Sequence, residues 1–256
     1  MFTRAIVRTP SANFADGLTS VDLGKPNYNL ALEQHAAYCR ALEDCGLSLT
    51  HLPADERYPD STFVEDTAVL TERGAIITRP GAASRLGEIE EIRGVLRQHC
   101  PRVFEIEAPG TLDGGDVCEA ASKFFIGVSQ RTNAFGAAQL ATMLSALGYN
   151  STLIDIRGLS NILHLKSGLA YLGGNRMLVI DELKDSQGFS RYELIGIDRT
   201  EAYGANCLLI NDRVLIASGF ARLRQNLERR NYEVIELDMS EFQKMDGGLS
   251  CLSLRF

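Results

Sequence analysis

Short apolar runs, many of them β-branched, recur along the chain in pairs separated by a turn, and each pair reads as a β-hairpin. The pairs are 63–71 with 75–78, 116–120 with 123–128, 164–172 with 177–180, and 206–210 with 214–217. A fifth first strand, 249–256, closes the chain without a partner, and a lone apolar run, Ala5-Ile6-Val7, opens it. Pairing these two makes a fifth hairpin.

Ile76, Phe125, Leu178, Leu215 and Ile6 mark the second strands. The intervals between them are 49, 53 and 37 residues, then 47 through the termini and 70 from Ile6 to Ile76. Five units averaging about 51 residues fall in the range of propellers and repeat arrays. A ring whose last strand pairs with its first also hides both sheet edges, which otherwise invite aggregation.

Helical periodicity fills most of the gaps, at 29–44, 87–99, 132–147 and 222–230. Each helix leads into a third strand, at 47–52, 103–106, 152–156 and 232–237. On the second helix Ile89, Ile92, Val95 and Leu96 share one face. The fourth unit has room at 181–205 for a strand at 192–197 but little helix, which explains the short interval of 37. The predicted architecture is one α/β domain over 1–256, with helices outside and a central funnel.

The first strand of each unit carries polar groups inside apolar flanks. These are Glu65 and Asp66, Asp113 and Asp116 around Gly114-Gly115, His164, Asn206, and Cys251. Asp66, Asp113 and His164 are 47 and 51 residues apart, so a five-fold ring turns them toward one centre. Taken singly, Asp113-Gly-Gly reads as a hairpin turn, His164 as a core histidine and Cys251 as a structural thiol. Equivalent places in a repeat favour a shared site, since burying such groups costs several kcal/mol unless they pair with each other or with a ligand.

Composition narrows the partner. Of 256 residues, 26 are Lys or Arg and 33 are Asp or Glu, a net charge of −7 with no basic run. Nucleic acid and anionic membrane are therefore excluded as principal partners. No stretch approaches the roughly 18 apolar residues of a membrane helix and none reads as a signal peptide, so the expected location is cytoplasmic. Cys39, Cys45, Cys100, Cys118, Cys207 and Cys251 form no C-x-x-C pair and read as reduced thiols. Dinucleotide, P-loop, zincin and nucleophile-elbow motifs are all missing, so no cofactor or metal is called for. What is left is a cysteine, a histidine and a carboxylate, a set suited to nucleophilic catalysis. The surplus carboxylates point to a small cationic substrate.

Seven motifs extend this reading: Asp16-Gly-Leu-Thr19, Pro59-Asp-Ser-Thr-Phe-Val-Glu-Asp66, Ile76-Ile-Thr-Arg-Pro-Gly-Ala-Ala-Ser-Arg85, Thr111-Leu-Asp-Gly-Gly-Asp-Val117, Arg131-Thr-Asn133, Leu163-His-Leu-Lys166 and Asp246-Gly-Gly-Leu-Ser-Cys-Leu-Ser-Leu254. Through them the chain resembles the dimethylarginine dimethylaminohydrolases, guanidine-modifying enzymes of the five-bladed α/β-propeller, or pentein, fold. The resemblance implies that Cys251 attacks the guanidinium carbon of a methylated arginine. It implies that His164 protonates the departing amine and then activates water, and that Asp113 orients His164. Asp66 and Glu65 would accept hydrogen bonds from the guanidinium, and Arg85 and Arg131 would hold the α-carboxylate. Leu18 looks like part of a lid, while Asp60, Phe63, Asp246 and the main chain of Met245 match positions around the substrate. Some members carry Glu at the place of Asp113, and Asp116 is a neighbour able to share its role. Some bind zinc at the active-site cysteine as an inhibitor, although the mechanism needs no metal, and a homodimer is compatible with the family.

Arginine deiminase and amidinotransferase share this logic but generally carry insertions that this chain lacks. A catalytically silent binding module is the reading outside enzymes, and the retained Cys251, His164, Asp113 and Asp66 count against it. Nearby carboxylates are expected to keep Cys251 a neutral thiol until a guanidinium binds.

Overall fold

The computed structural model describes residues 1–256. It contains five three-stranded sheets of one topology, in which the middle strand runs antiparallel to the strand before it and parallel to the strand after it. Ile6, Ile76, Phe125, Leu178 and Leu215 all lie on middle strands and are 0% exposed. Being buried on both faces is what makes those strands read as unbroken apolar runs.

Residues 1–64 and 197–256 form one unit and residues 65–196 another. The first unit holds two sheets. One joins Leu254–Arg255, Arg4–Arg8 and Ser48–Leu52, with Ile6 opposite Leu254, so the terminal strands pair as predicted. The other joins Leu208–Ile210, Arg213–Ala217 and Glu233–Leu237. The helix Tyr28–Asp44 starts where the Asn27 side chain accepts the Leu30 N–H at 3.1 Å. It buries Ala31, Tyr38 and Leu42 in a core shared with Phe14, Phe63 and Phe242.

The second unit holds three sheets: Ala68–Thr71, Gly74–Ile77 and Val103–Glu105; Val117–Ala120, Lys123–Val128 and Asn150–Asp155; and Leu169–Tyr171, Arg176–Val179 and Glu193–Gly196. Helix Ile89–His99 buries Ile92 and Leu96. Helix Ala134–Ala146 is capped by Asn133, which accepts the Gly136 N–H at 2.8 Å. Between the last two strands lie only short 3₁₀ turns, Asp181–Leu183 and Gln187–Phe189, as the short interval implied. No helix is long and apolar enough to cross a membrane.

One expectation is corrected. The polar residues do not sit on the first strands but in, or directly beside, 3₁₀ turns ahead of them: Glu65 and Asp66 in Val64–Thr67, Asp116 in Gly114–Asp116 with Asp113 just before it, His164 just before Leu165–Ser167, Asn206 just after Arg199–Ala205, and Cys251 in Ser250–Leu252. Apolar residues flank both a strand and a tight turn, so the pattern alone does not separate them. The difference matters chemically. A strand sends successive side chains to opposite faces, whereas a turn leaves main-chain N–H groups free to bind carboxylates.

Candidate functional site

Glu65, Asp66, Arg85, Asp113, Arg131 and His164 belong to the 65–196 unit, where a buried polar cluster forms around Asp113-Gly-Gly-Asp116. Asp113 is 0% exposed. Its Oδ2 lies 3.0 Å from His164 Nε2, and its Oδ1 accepts the Gly81 N–H at 2.7 Å. Asp113 is thus the partner of His164. Asp116 is committed elsewhere, accepting from Ser129 Oγ at 2.6 Å and from the Leu165 N–H at 3.0 Å.

The two glycines are not a hairpin tip. The tip between Val117–Ala120 and Lys123–Val128 is at Ala121, which has φ 55°. Gly114 and Gly115 are required by close approach instead. A Cβ on Gly114 would stand 2.0 Å from the Glu65 carbonyl oxygen, and one on Gly115 would stand 2.9 Å from both Asp66 Oδ1 and His164 Nδ1. Asp66 Oδ1 accepts the Gly115 N–H at 2.9 Å, so the missing side chain lets Asp66 and the imidazole close on the same backbone.

Electrostatics follow from this packing. Burial alone would push His164 down, but Asp66, Asp116 and the hydrogen-bonded Asp113 outweigh it and raise its pKa to about 9. Burial would raise Asp113, yet the bond to His164, that residue's charge, Arg85 and the Gly81 N–H together hold it below the usual carboxylate range. Burial dominates at Asp116 and pushes it up. At neutral pH the cluster therefore contains an imidazolium bonded to a carboxylate. Asp66, Asp113 and His164 each offer a ligand atom within 4.8 Å of the others, but a protonated imidazole has no lone pair for a metal.

Arg85 is buried rather than a solvated charge. It lies in the 3₁₀ turn Ala83–Glu88 and donates from Nε and Nη2 to Glu88 at 2.8–3.1 Å. Its Nη1 donates to Asp66 Oδ2 at 2.6 Å. Glu65 accepts from Lys166 Nζ at 2.6 Å. Arg131 is half-buried in a turn held by Ser129 Oγ, which accepts its N–H at 3.0 Å, and its guanidinium forms no ion pair. Glu88 and Lys166 were missed from sequence. Glu88 stands three residues after Arg85, the spacing of a side-chain pair, whereas nothing local ties Lys166 to Glu65.

Leu18, Asp60, Phe63, Met245, Asp246 and Cys251 belong to the other unit. Asp60 is buried and accepts the Leu18 N–H with both oxygens, at 3.0 and 3.2 Å. A Cβ on Gly17 would strike Asp60 Oδ1 at 2.5 Å and Met245 at 3.2 Å. Ser20 N–H donates to Asp246 Oδ2 at 2.5 Å, and Thr19 Oγ1 donates to the Lys244 carbonyl at 3.0 Å. The segment 17–20 is therefore tied down on both sides, while Leu18 itself is 41% exposed. Phe63 packs against Phe14 and Phe242, with ring centroids 5.9 and 6.3 Å away.

Cys251 sits partly buried in the turn Ser250–Leu252, between the fully buried Leu249 and Leu252. Its N–H donates to the Gly248 carbonyl at 3.2 Å. Asn206 and Tyr203 bind the same segment. Burial, with Cys251 and Asp238 nearby, pushes the Tyr203 phenol up, so it stays a neutral donor.

No protein-family model matches the chain. The N(G),N(G)-dimethylarginine dimethylaminohydrolase of Pseudomonas aeruginosa is 48% identical over 257 residues, covering 100% of both chains. The enzyme of that name from Streptomyces coelicolor is 34% identical over 255 residues, covering 98% of this chain and 96% of its own. Among solved structures, a cysteine-to-serine mutant of the Pseudomonas aeruginosa protein complexed with citrulline has a TM-score of 0.97, with 48% identity and full coverage of both chains. A histidine-to-glycine form of a dimethylarginine dimethylaminohydrolase, as an adduct with S-methyl-L-thiocitrulline, has the same TM-score, identity and coverage. The N-terminal domain of ArgZ, a cyanobacterial arginine dihydrolase, has a TM-score of 0.89 at 17% identity and shares the fold.

Proposed function

The chain belongs to the dimethylarginine dimethylaminohydrolase family, with the five-bladed α/β-propeller fold, and on that footing we propose that it hydrolyses Nω-methylated arginines to citrulline. The second product is methylamine or dimethylamine. The observation that carries the proposal is the buried imidazolium–carboxylate pair His164–Asp113 beside Asp66.

In the first half-reaction the Cys251 thiolate bonds to the guanidinium carbon, and the C–N bond to the methylated nitrogen breaks. His164, cationic up to a pH of about 9, gives its proton to the departing amine. In the second half, water adds to the S-alkylthiouronium carbon and yields its proton to His164. The C–S bond then breaks and the hydroxyl proton passes to solvent, which returns the thiolate and the imidazolium and leaves the ureido group of citrulline. Asp113 keeps the imidazole oriented through both halves, as the buried acid of a triad does. Support for these two roles comes from the solved relatives, in which the altered cysteine and histidine are numbered as far apart as Cys251 and His164.

Asp66 and Glu65 receive the guanidinium. Arg131, whose guanidinium has no ion pair, suits the α-carboxylate, with Arg85 as its companion. Leu18, Asp60, Phe63, Asp246 and the main chain of Met245 surround the amino-acid part. Residues 1–256 act as a single catalytic domain.

The test is citrulline release from asymmetric dimethylarginine and from arginine, run in parallel. Release from the methylated substrate alone supports the proposal. A preference for arginine would place the protein with the deiminases instead.

A further inference from the structure

Among the polar positions that recur through the five units, Asn206 has no part in the chemistry above. Its side chain is buried and spans one residue, Ser250, at two points. Asn206 Oδ1 accepts the Ser250 N–H at 2.9 Å, and Asn206 Nδ2 donates to Ser250 Oγ at 3.0 Å. Three residues earlier, Tyr203 Oη donates to the Gly247 carbonyl at 2.8 Å. A three-residue 3₁₀ turn makes few hydrogen bonds of its own, so what fixes it must come from outside.

The glycines ahead of the cysteine agree with this. A Cβ on Gly248 would stand 2.5 Å from Asn206 Oδ1, and one on Gly247 would stand 2.2 Å from the Phe63 ring. The backbone at 247–248 is thus drawn against its anchors as closely as glycine allows. We propose that Asn206 and Tyr203 are positioning residues that fix the turn carrying Cys251, so that the sulfur is held in line for attack. This rests on Cys251 being the nucleophile.

Displacing a nucleophile slows the chemical step more than it weakens binding, because the lost alignment is needed only in the transition state. Asn206→Ala removes both contacts to Ser250 and is expected to lower kcat for citrulline release at least about tenfold, with KM within about threefold of wild type. Tyr203→Phe removes one hydroxyl at nearly constant shape, so it folds even where Asn206→Ala does not. Its kcat is expected to fall by roughly threefold to tenfold at unchanged KM.

Either variant having kcat within twofold of wild type, or a loss confined to KM, overturns the proposal. So does a kcat loss that disappears on cooling below a lowered melting temperature, which marks a purely structural role. A wild-type protein that releases no citrulline would instead remove the functional reading, and this inference with it.

Discussion

The charge state of His164 can be measured through stability. Its pKa of about 9 lies well above the ordinary value of 6.5 because the charges of Asp66 and Asp116 and the hydrogen-bonded Asp113 outweigh burial. A group whose pKa is raised on folding contributes stability that is fully present below the unfolded value and is lost as pH climbs to the folded one. Here that window runs from pH 6.5 to about 9. At 1.36 kcal/mol per pKa unit, the contribution is about 3 kcal/mol, of which roughly 2 kcal/mol disappears between pH 7.5 and pH 9.

The perturbation is His164→Gln, and the assay is urea unfolding of both proteins across that range. Burial raises Glu119 to about 7, so it titrates at the lower end of that range in both proteins. Burial also raises Cys39 to about 12 and Cys118 to about 11, so unfolding releases thiol protons near the top of the range in both proteins. The difference between the two curves removes these contributions. Wild type should lose roughly 2 kcal/mol more than His164→Gln from pH 7.5 to pH 9. Parallel curves would refute the cationic assignment. In turnover, the alkaline limb of kcat should lie near pH 9, and Asp113→Asn should move it to lower pH by removing the bonded anion.

Cys251→Ser should abolish citrulline formation while leaving the fold and the unfolding midpoint unchanged, because an alcohol supplies no anion near neutral pH; turnover by the folded mutant would remove Cys251 as nucleophile. Arg131→Ala should raise KM while kcat stays within about threefold, since carboxylate binding is made in ground and transition states alike, and steady-state kinetics decide it. Glu88→Gln takes a buried carboxylate from Arg85 and should cost about 3 kcal/mol in urea unfolding. An unchanged midpoint would show that Asp66 alone suffices for Arg85.

The repeat was legible because burial on both faces forces unbroken apolar runs, and because Ile6, Ile76, Phe125, Leu178 and Leu215 recur at near-regular intervals. Periodicity placed helices at 29–44 and 132–147, and the side-chain caps Asn27 and Asn133 set their actual starts at Tyr28 and Ala134. The turns did not, since Phe63-Val64 or Leu163-His-Leu165 suits a strand as well as a 3₁₀ turn. Asp113-Gly-Gly carried both a turn signal and a close-approach signal, and only the positions of Glu65 and His164 decide between them. Long-range pairing was the least legible part. Arg85 with Asp66, Lys166 with Glu65 and Asn206 with Ser250 join residues 19, 101 and 44 positions apart, and no periodicity records such choices.

Those pairings bear on how the thiol is activated. An ordinary cysteine has a pKa near 8.5, so only a few per cent is thiolate at pH 7. The network around His164 and Arg85 sets four carboxyl groups, Asp66, Glu88, Asp113 and Asp116, against two cations. On the proposed function, in which these carboxyl groups receive the same guanidinium that Cys251 attacks, their excess over the cations disfavours a further anion before substrate binds. A bound guanidinium brings a positive charge to the sulfur that attacks it, and in a dry site that favours the thiolate by several kcal/mol at most. Substrate binding should therefore create the nucleophile. Ultraviolet thiolate absorbance should rise when a non-reactive guanidinium analogue binds, with Cys251→Ser as the blank that subtracts the other five cysteines. Iodoacetamide should alkylate Cys251 slowly in the ligand-free protein at pH 7. If the pH dependence of that alkylation has a midpoint well below 7, the protein itself makes the thiolate, and activation by substrate is wrong.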